Sequence, residues 1–335
     1  MDGSPDTRPQ LLDQPSARSQ LGADTAPATP QPPGPTLSQK PGRTRTIALM
    51  NQKGGVGKTT TTVNLGAALA DAGHRVLLVD LDPQAHMTLH VGVDSQVLEH
   101  TVYDLLVDAQ LTVEQVIYPV THRLALLPSE VNLAGIEAEL APKMITGRAQ
   151  HVLKQKCGGI LGRHAEGTID SQKDRSDDSP NFDYVLIDCP PSLGLLTVNA
   201  LTMASEVIVP MQAQFLALQG LSKLLETVGM IQQSFNPRLR VTGVVVCMHE
   251  RQTILAGEVI ADLSAFLESA RDGDEPWSEA RILSPPIRRN IKLAECPSFG
   301  RTIFDYAPMS HGAEDYRLLA ASVRQLVANT PSTDS

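Results

Sequence analysis

Short apolar segments alternate with longer stretches of helical periodicity along most of the chain. The apolar segments, which predict strands, lie at 46–50, 75–82, 124–127, 184–187, 207–209 and 239–247. The helical stretches lie at 61–70, 102–106, 195–203, 216–233, 253–270 and 314–328, with a further helix expected to start near Ser129. Strands that alternate with helices form a parallel sheet with helices on both faces. The pattern therefore predicts an α/β fold with a doubly wound, mostly parallel sheet.

The domain boundaries follow from changes in composition. Residues 1–43 are rich in proline and polar residues, and we expect a disordered tail because such a segment buries too little apolar surface to offset its chain entropy. One α/β domain is expected over 44–330, followed by a short disordered tail at 331–335. The polar, turn-rich residues 154–181 predict a surface loop inserted ahead of the next strand.

Composition excludes several classes of protein. A hydrophobic content of 41% with only 4% aromatic residues indicates a substantial, mostly aliphatic core. The four cysteines lie far apart without a paired spacing, which gives no zinc or disulfide signal and suits a reducing cytoplasm. No segment is typical of a membrane span or a signal peptide. The net charge of −9 argues against a uniformly basic surface but leaves room for a local basic patch.

A glycine-rich loop with two lysines joins the first strand to the first helix. Glycines allow backbone N–H groups to point inward at an anion, and the start of a helix adds positive potential there. Lys58 can reach the β- and γ-phosphates of a nucleotide, and the Thr59 hydroxyl can ligate Mg²⁺. The ordinary phosphate loop has glycine at the position of Gln52. In this chain Gln52 is followed by an extra lysine, Lys53. The predicted nucleotide-binding residues are Lys53, Gly54, Gly55, Val56, Gly57, Lys58, Thr59 and Thr60.

Carboxylates stand at the ends of two further strands, Asp80 and Asp82 after one and Asp188 after the other. The carboxyl ends of parallel strands meet at the ligand-binding edge of such a sheet. Asp188 is expected to support Mg²⁺ together with Thr59. Phosphoryl transfer also needs a group that orients the attacking water, and Asp82 is the candidate, whereas Asp80 could be structural. The predicted catalytic residues are Lys53, Lys58 and Asp82.

Several segments resemble one family of ATPases. The glycine loop resembles the deviant Walker A motif of the ParA/MinD-type ATPases, in which the extra lysine is characteristic. The segments at 79–84 and 183–193 resemble the family's two switch regions, and those at 209–214 and 290–300 resemble the chromosome-partitioning ParA/Soj branch. The resemblance covers about residues 44–327.

The resemblance implies roles for the matched positions. ATP and Mg²⁺ would be the cofactors, with Lys53 reaching the partner's phosphates across an ATP-dependent homodimer. Asp82 would position the water, and Asp188 would hold the metal through water. The family implies an ATP hydrolase for chromosome or plasmid partitioning, in which a ParB-type partner stimulates slow hydrolysis. It also implies a cytoplasmic protein associated with the nucleoid.

Three positions depart from the family pattern. Ala85 and His86 stand where the family usually has Gly and Asn after the first switch segment. Arg288 stands where the family usually has Pro, in the segment beside the adenine. The base contacts in that segment are therefore not predicted.

The resemblance to partition ATPases also implies non-specific DNA binding by the dimer. Between 281 and 301 the chain carries five basic residues against one acidic residue, and dimerisation would double the phosphate contacts. Arg251 matches a basic position implicated in DNA binding in the family. The alternative is that these basic side chains are solvated or pair with local carboxylates. The predicted DNA-binding residues are Arg251, Arg288, Arg289 and Lys292.

Other functions within the superfamily remain open. A MinD-like, membrane-associated division-site ATPase would end in a basic amphipathic helix. The last helix here has few basic residues, and its apolar positions 319, 323, 326 and 327 are expected to dock on the domain, so no membrane partner is predicted. An iron–sulfur reductase would need cluster cysteines, whereas Cys189 is expected to be a small buried residue. A non-catalytic nucleotide-binding scaffold has no support in the residues.

Overall fold

The computed structural model describes residues 41, 43–161, 181–214, 216–250 and 254–326. Within them an eight-stranded sheet has the order β3-β4-β2-β5-β1-β6-β7-β8, and every neighbouring pair is parallel except β3 with β4. The strands are β1 Arg45–Leu49, β2 Val76–Asp80, β3 Tyr118–Pro119, β4 Leu124–Leu127, β5 Tyr184–Asp188, β6 Glu206–Met211, β7 Arg240–Val246 and β8 Arg281–Ile282. The predicted fold class is confirmed.

Helices cover both faces of the sheet. They are α1 Lys58–Asp71, α2 His86–His90, α3 Val102–Val107, α4 Val113–Val116, α5 Ile136–Ile145, α6 Val152–Cys157, α7 Leu195–Met203, α8 Ala217–Ser234, α9 Ile254–Ser269, α10 Ile291–Glu295, α11 Ile303–Tyr306 and α12 His311–Gln325. Short 3₁₀ turns lie at Ser95–Val97, Val131–Gly135, Ala149–His151 and Cys296–Phe299.

Alternation along the central strands divides the core in two. In β5, Val185 and Ile187 belong to one buried cluster, whereas Tyr184 and Leu186 belong to the other. Successive side chains of a strand point to opposite faces, so a strand covered on both faces is apolar at nearly every position. Burial of all five residues in each of β1, β2 and β5 fits this rule.

Three predictions about local structure differ from the fold. Residues 154–157 do not begin a surface loop, because they lie in α6, whose Cys157 is buried. Ser129 does not cap a helix: its buried hydroxyl donates to the Asp82 carbonyl, and a 3₁₀ turn precedes α5. The last helix begins at His311, because the Ser310 hydroxyl caps it by accepting from the Ala313 N–H at 3.2 Å.

Other predictions are confirmed or fall outside the described residues. Strand 124–127 and helix 195–203 have the predicted ends. Leu319 and Val323 of α12 are fully buried, as expected for a helix docked on the domain. Outside the described residues lie 1–40 of the predicted tail, 162–180 of the predicted insertion, the C-terminal residues 327–335, and Arg251.

Candidate functional site

The carboxyl ends of the three central strands bring the predicted site together. In the parallel register Asp188 is aligned with Leu49 of β1 on one side and with Asp80 of β2 on the other. The glycine loop follows β1 directly and runs into α1. Phosphate-loop backbone, first-turn hydroxyls and two aspartates therefore share one edge of the sheet, as the strand pattern predicts.

The glycine loop has the backbone conformation that its glycines allow. Gly55 and Gly57 have φ of +71° and +97°, in the left-handed region that favours glycine. A side chain at Gly55 would meet no atom within 4 Å, so the loop opens onto free space at that point. Gly57 precedes α1, and no side chain caps that helix. The first N–H groups of α1 are thus available to an anion in front of the loop.

Lys58 and Thr59 occupy the first turn of α1. The Lys58 side chain is buried, and its Nζ donates to the Lys53 carbonyl at 3.5 Å, a long contact that leaves the ammonium available to a stronger acceptor. The Thr59 hydroxyl donates to Asp188 Oδ2 at 2.6 Å. The predicted Mg²⁺ pair is therefore in direct contact. Val56 is buried beneath the loop, and Thr60 lies in the same first turn.

Asp80 and Asp188 form a buried pair of carboxylates. Burial raises the pKa of Asp188, and the neighbouring Asp80 raises it further, while the hydrogen bond from Thr59 opposes the shift. Burial also raises the pKa of Asp80, opposed by hydrogen bonds from Thr88 and from the Asp82 N–H. Two buried carboxyl groups in register favour a bound cation, because a cation stabilises both in the ionised form. This donor set of carboxylate and hydroxyl oxygens is the kind that Mg²⁺ prefers.

Asp80 and Asp82 have different environments. Asp80 is fully buried, and its Oδ2 accepts from the Thr88 N–H at 2.9 Å and from the Thr88 hydroxyl at 2.8 Å. Asp82 is partly exposed, and its Oδ1 accepts from the Gln84 N–H at 3.0 Å. Asp80 therefore anchors the loop after β2, whereas Asp82 lies where it is accessible to solvent. Thr88 and Ser129, which hold this loop, were not among the predicted site residues.

Lys53 lies at the exposed rim of the glycine loop. Its Nζ donates to Gln214 Oε1, and Gln214 Nε2 donates to Gln212 Oε1 at 2.7 Å. Gln212 Nε2 donates in turn to the Gly55 carbonyl at 3.1 Å. A chain of amides after β6 therefore returns to the loop. The glutamines were not predicted as site residues, although they fall in the 209–214 segment that resembles the ParA/Soj branch.

The predicted basic residues are all ion-paired where the structure describes them. Arg288 Nη2 donates to the buried Asp315 at 2.6 Å and to Glu314 at 2.8 Å, and both carboxylates raise its pKa. Arg289 pairs with Glu250 at 2.9 Å, and Lys292 pairs with Glu295 at 2.9 Å. The sequence left open whether these residues bind DNA or pair with local carboxylates. All three form ion pairs with carboxylates in the structure. Their part in DNA binding stays a prediction.

Comparison with known proteins places the chain among nucleotide-dependent partition proteins. A family model described as an AAA domain matches residues 44–241. The sporulation initiation inhibitor protein Soj of Bacillus subtilis is 40% identical over 281 residues, which cover 83% of this chain and 97% of that protein. The chromosome-partitioning ATPase Soj of Thermus thermophilus is 41% identical over 281 residues, covering 84% and 96%.

Solved structures share the fold. Cobyrinic acid a,c-diamide synthase of Mycobacterium smegmatis, with bound ADP and magnesium, superposes with a TM-score of 0.65 at 34% identity and covers 85% of this chain and 96% of its own. The septum site-determining protein MinD of Pyrococcus horikoshii, complexed with Mg-ADP, superposes with a TM-score of 0.60 at 25% identity, covering 84% and 97%.

Proposed function

The chain belongs to the ParA/Soj family of partitioning ATPases, and we propose that it is an ATP-driven DNA segregation switch. ATP binding would form a sandwich dimer that binds DNA without sequence preference, and slow hydrolysis, stimulated by a ParB-type partner, would dissociate it. The observation that carries this proposal is the contact between the Thr59 hydroxyl and the buried Asp188 at the end of the glycine loop. That contact supports a metal-binding role for the two residues, since it lies beside the loop that we propose binds the phosphates.

ATP and Mg²⁺ fit the residues at this edge. The open space in front of Gly55 and the uncapped start of α1 accommodate phosphate oxygens. Thr59 and Asp188 would hold the metal through their hydroxyl and carboxylate oxygens. When bound, Mg²⁺ would neutralise negative charge on the phosphates. Lys58, held only by a long contact to a carbonyl, would turn its ammonium to the β- and γ-phosphates.

Asp82 is the residue that we propose orients the attacking water. Of Asp80 and Asp82 at the end of β2, it is the partly exposed one, and its backbone N–H donates to Asp80 Oδ1 at 3.1 Å, which fixes its position relative to the buried carboxylates. Asp80 accepts three hydrogen bonds and is enclosed, so it serves as the support. These roles agree with the sequence analysis, in which Asp82 is the candidate for orienting water and Asp80 could be structural.

Lys53 is the residue that we propose acts on the partner subunit's nucleotide. Its side chain lies at the surface of the loop and bonds an uncharged amide of Gln214. A phosphate oxygen is a stronger acceptor than an amide oxygen, because charge-assisted hydrogen bonds are about twice as strong as neutral ones. Lys53 can therefore leave Gln214 for a phosphate across a dimer interface, where it would supply positive charge in trans.

For DNA contacts, the structure favours the more exposed basic residues. Arg289 and Lys292 have exposed side chains in exposed ion pairs, which contribute little to stability and can exchange a carboxylate for a phosphate. Arg288 is engaged with the buried Asp315 and is less able to exchange. We propose that Arg289, Lys292 and Arg251 contact DNA phosphates and that Arg288 mainly supports their segment.

The alternative function is that of a membrane-associated, MinD-like positioning ATPase. In the described part of the chain no helix is long and apolar enough to cross a membrane. Interfacial binding would instead need an apolar helix face that is free to insert. The apolar side of α12, including Leu319 and Val323, is packed against α1 and the sheet. This packing favours DNA over a membrane as the surface that the protein binds.

Co-sedimentation tests the two functions directly. The full chain is incubated with DNA or with anionic liposomes, with and without ATP and Mg²⁺. We expect ATP-dependent pelleting with DNA and none with liposomes. Lys58→Ala should lose nucleotide binding at the glycine loop and should not pellet with DNA. ATP-dependent pelleting with liposomes would favour the MinD-like function. Unchanged ATP affinity in Lys58→Ala would show that the glycine loop does not bind the phosphates of ATP.

A further inference from the structure

A second pocket lies at the amino edge of the sheet, where β1, β6, β7 and β8 begin. Its volume is about 420 Å³, within the usual range for small-ligand sites. The nucleotide site lies at the opposite end of the same strands. The five residues of β1, at about 3.3 Å each, put roughly 15 Å between the two sites, so a ligand here is distinct from one on the glycine loop.

One arginine of this pocket is fully engaged by the protein. Arg45 is 7% exposed, and its Nε and Nη2 donate to the Glu206 carboxylate at 2.6 and 2.5 Å. Its Nη1 donates to the Val323 carbonyl at 2.7 Å. This pair ties the start of β1 to the start of β6 and to the end of α12. It forms a neutral wall of the pocket.

Three further arginines in the lining have no carboxylate partner in the described ranges. Arg240 directs Nη1 to the carbonyls of Pro237 and Leu239, at 3.3 and 3.2 Å. Arg43 and Arg281 are exposed, and neither guanidinium group makes a hydrogen bond or an ion pair with any described residue.

One carboxylate, that of Glu279, lines the pocket without an ion pair among the described residues. Three uncompensated guanidinium groups therefore face one carboxylate. Solvated surface arginines are common, but here they converge on one concavity from the starts of different strands. The surplus of positive charge favours an anion of at least two charges.

We propose that this pocket binds a small phosphate-bearing molecule, with the charge of a di- or triphosphate. Guanidinium groups present paired N–H donors that match phosphate oxygens, so several arginines around one cavity are suited to a polyphosphate. A single carboxylate ligand would leave part of the surplus charge uncompensated. Pro41 and Leu326 provide an apolar wall against which an apolar part of the ligand can lie.

Calorimetric titration with inorganic pyrophosphate tests the proposal on the full chain. Lys58→Ala removes the ammonium of the glycine loop, and we expect one equivalent to bind that variant still. Adding Arg43→Gln and Arg281→Gln should weaken the remaining binding at least about tenfold, because each hydrogen bond to a charged group is worth that order of affinity. Arg271→Gln, which removes an exposed arginine elsewhere, is the matched control and should leave the affinity unchanged.

Two results would overturn the proposal: loss of all binding in Lys58→Ala, or binding that is indifferent to Arg43→Gln and Arg281→Gln. Glu279→Gln removes the carboxylate and should strengthen pyrophosphate binding severalfold. Misfolding would weaken binding, so it cannot account for this result. A short DNA duplex separates the two sources of phosphate. If the duplex displaces pyrophosphate with the same dependence on Arg43 and Arg281, the pocket binds nucleic acid backbone and the small-molecule assignment is wrong.

Discussion

Arg288→Ala should lower the free energy of unfolding, even when no ligand is present. The guanidinium donates to both oxygens of Asp315, a residue that is 1% exposed, and also to Glu314. After the substitution, Asp315 keeps one donor, the residue-288 backbone N–H at 2.9 Å. A buried carboxylate that loses its cation is an uncompensated charge in a region with little water.

The expected size follows from this geometry. Breaking a buried ion pair by removing one partner costs about 3–5 kcal/mol. The Arg288 side chain is 31% exposed, so water can enter the vacated space, and one backbone hydrogen bond remains. We therefore expect a loss of about 2–3 kcal/mol in the free energy of unfolding, at or below the lower end of that range.

Urea unfolding without nucleotide, followed by the fluorescence of the single tryptophan, Trp277, measures this loss. Arg289→Ala is the matched control, since its exposed pair with Glu250 should contribute less than about 1 kcal/mol. Combining Arg288→Ala with Asp315→Asn should recover part of the loss, because the buried charge is then gone. A loss below about 0.5 kcal/mol in Arg288→Ala would refute the structural role. Because Arg288→Ala is expected to be less stable, the DNA affinity of this variant must be measured under conditions in which it is folded.

Three further predictions concern hydrolysis, pH and backbone conformation. Asp82→Ala should bind ATP and accumulate as a dimer without turnover, and normal phosphate release would show that another group orients the water. Burial lowers the pKa of His90 to about 4, below its ordinary 6.5, so its stabilising contribution is complete above pH 6.5 and is lost as the pH falls to 4. That loss is about 3 kcal/mol in unfolding free energy, and His90→Gln should lack this component of the pH dependence. Ala85 has a φ of +51°, so Ala85→Gly should raise the urea midpoint by the equivalent of about 0.5 kcal/mol, and a lower midpoint would contradict the strain.

Much of the fold could be predicted because its signals are local. In β2 and β5 a run of buried, mostly aliphatic residues precedes the last position, which is an aspartate in both strands. Gly57 marks the start of α1, since few other residues adopt its φ. Ala85 is an exception, because it has a left-handed backbone without the glycine that the family usually has at this position.

The rest depends on contacts between distant residues. Arg288 was predicted to bind DNA because its own segment is basic, whereas its partner Asp315 lies 27 residues later on the face of α12 that packs inward. A count of charges near one residue does not show which carboxylate the fold brings to it. Residues 154–157 were wrongly predicted to lie in a surface loop for a related reason. Their polar lysines and glutamine are typical of a loop, although Val152, Leu153 and Cys157 form the buried side of a helix.

The two lysines of the glycine loop illustrate both cases. Lys58 could be placed from spacing alone, since it begins the helix that follows the glycines, and the fold buries it there. Lys53 could be identified by its mismatch with the ordinary loop, but its resting partner Gln214 is 161 residues away. That partner is uncharged and exposed, so the contact holds a cation at the rim only weakly. An acidic partner at Gln214 would bind the same ammonium more tightly and compete better with phosphate. The amide therefore keeps Lys53 in position and leaves its charge available for the contact that we propose with a second subunit's nucleotide.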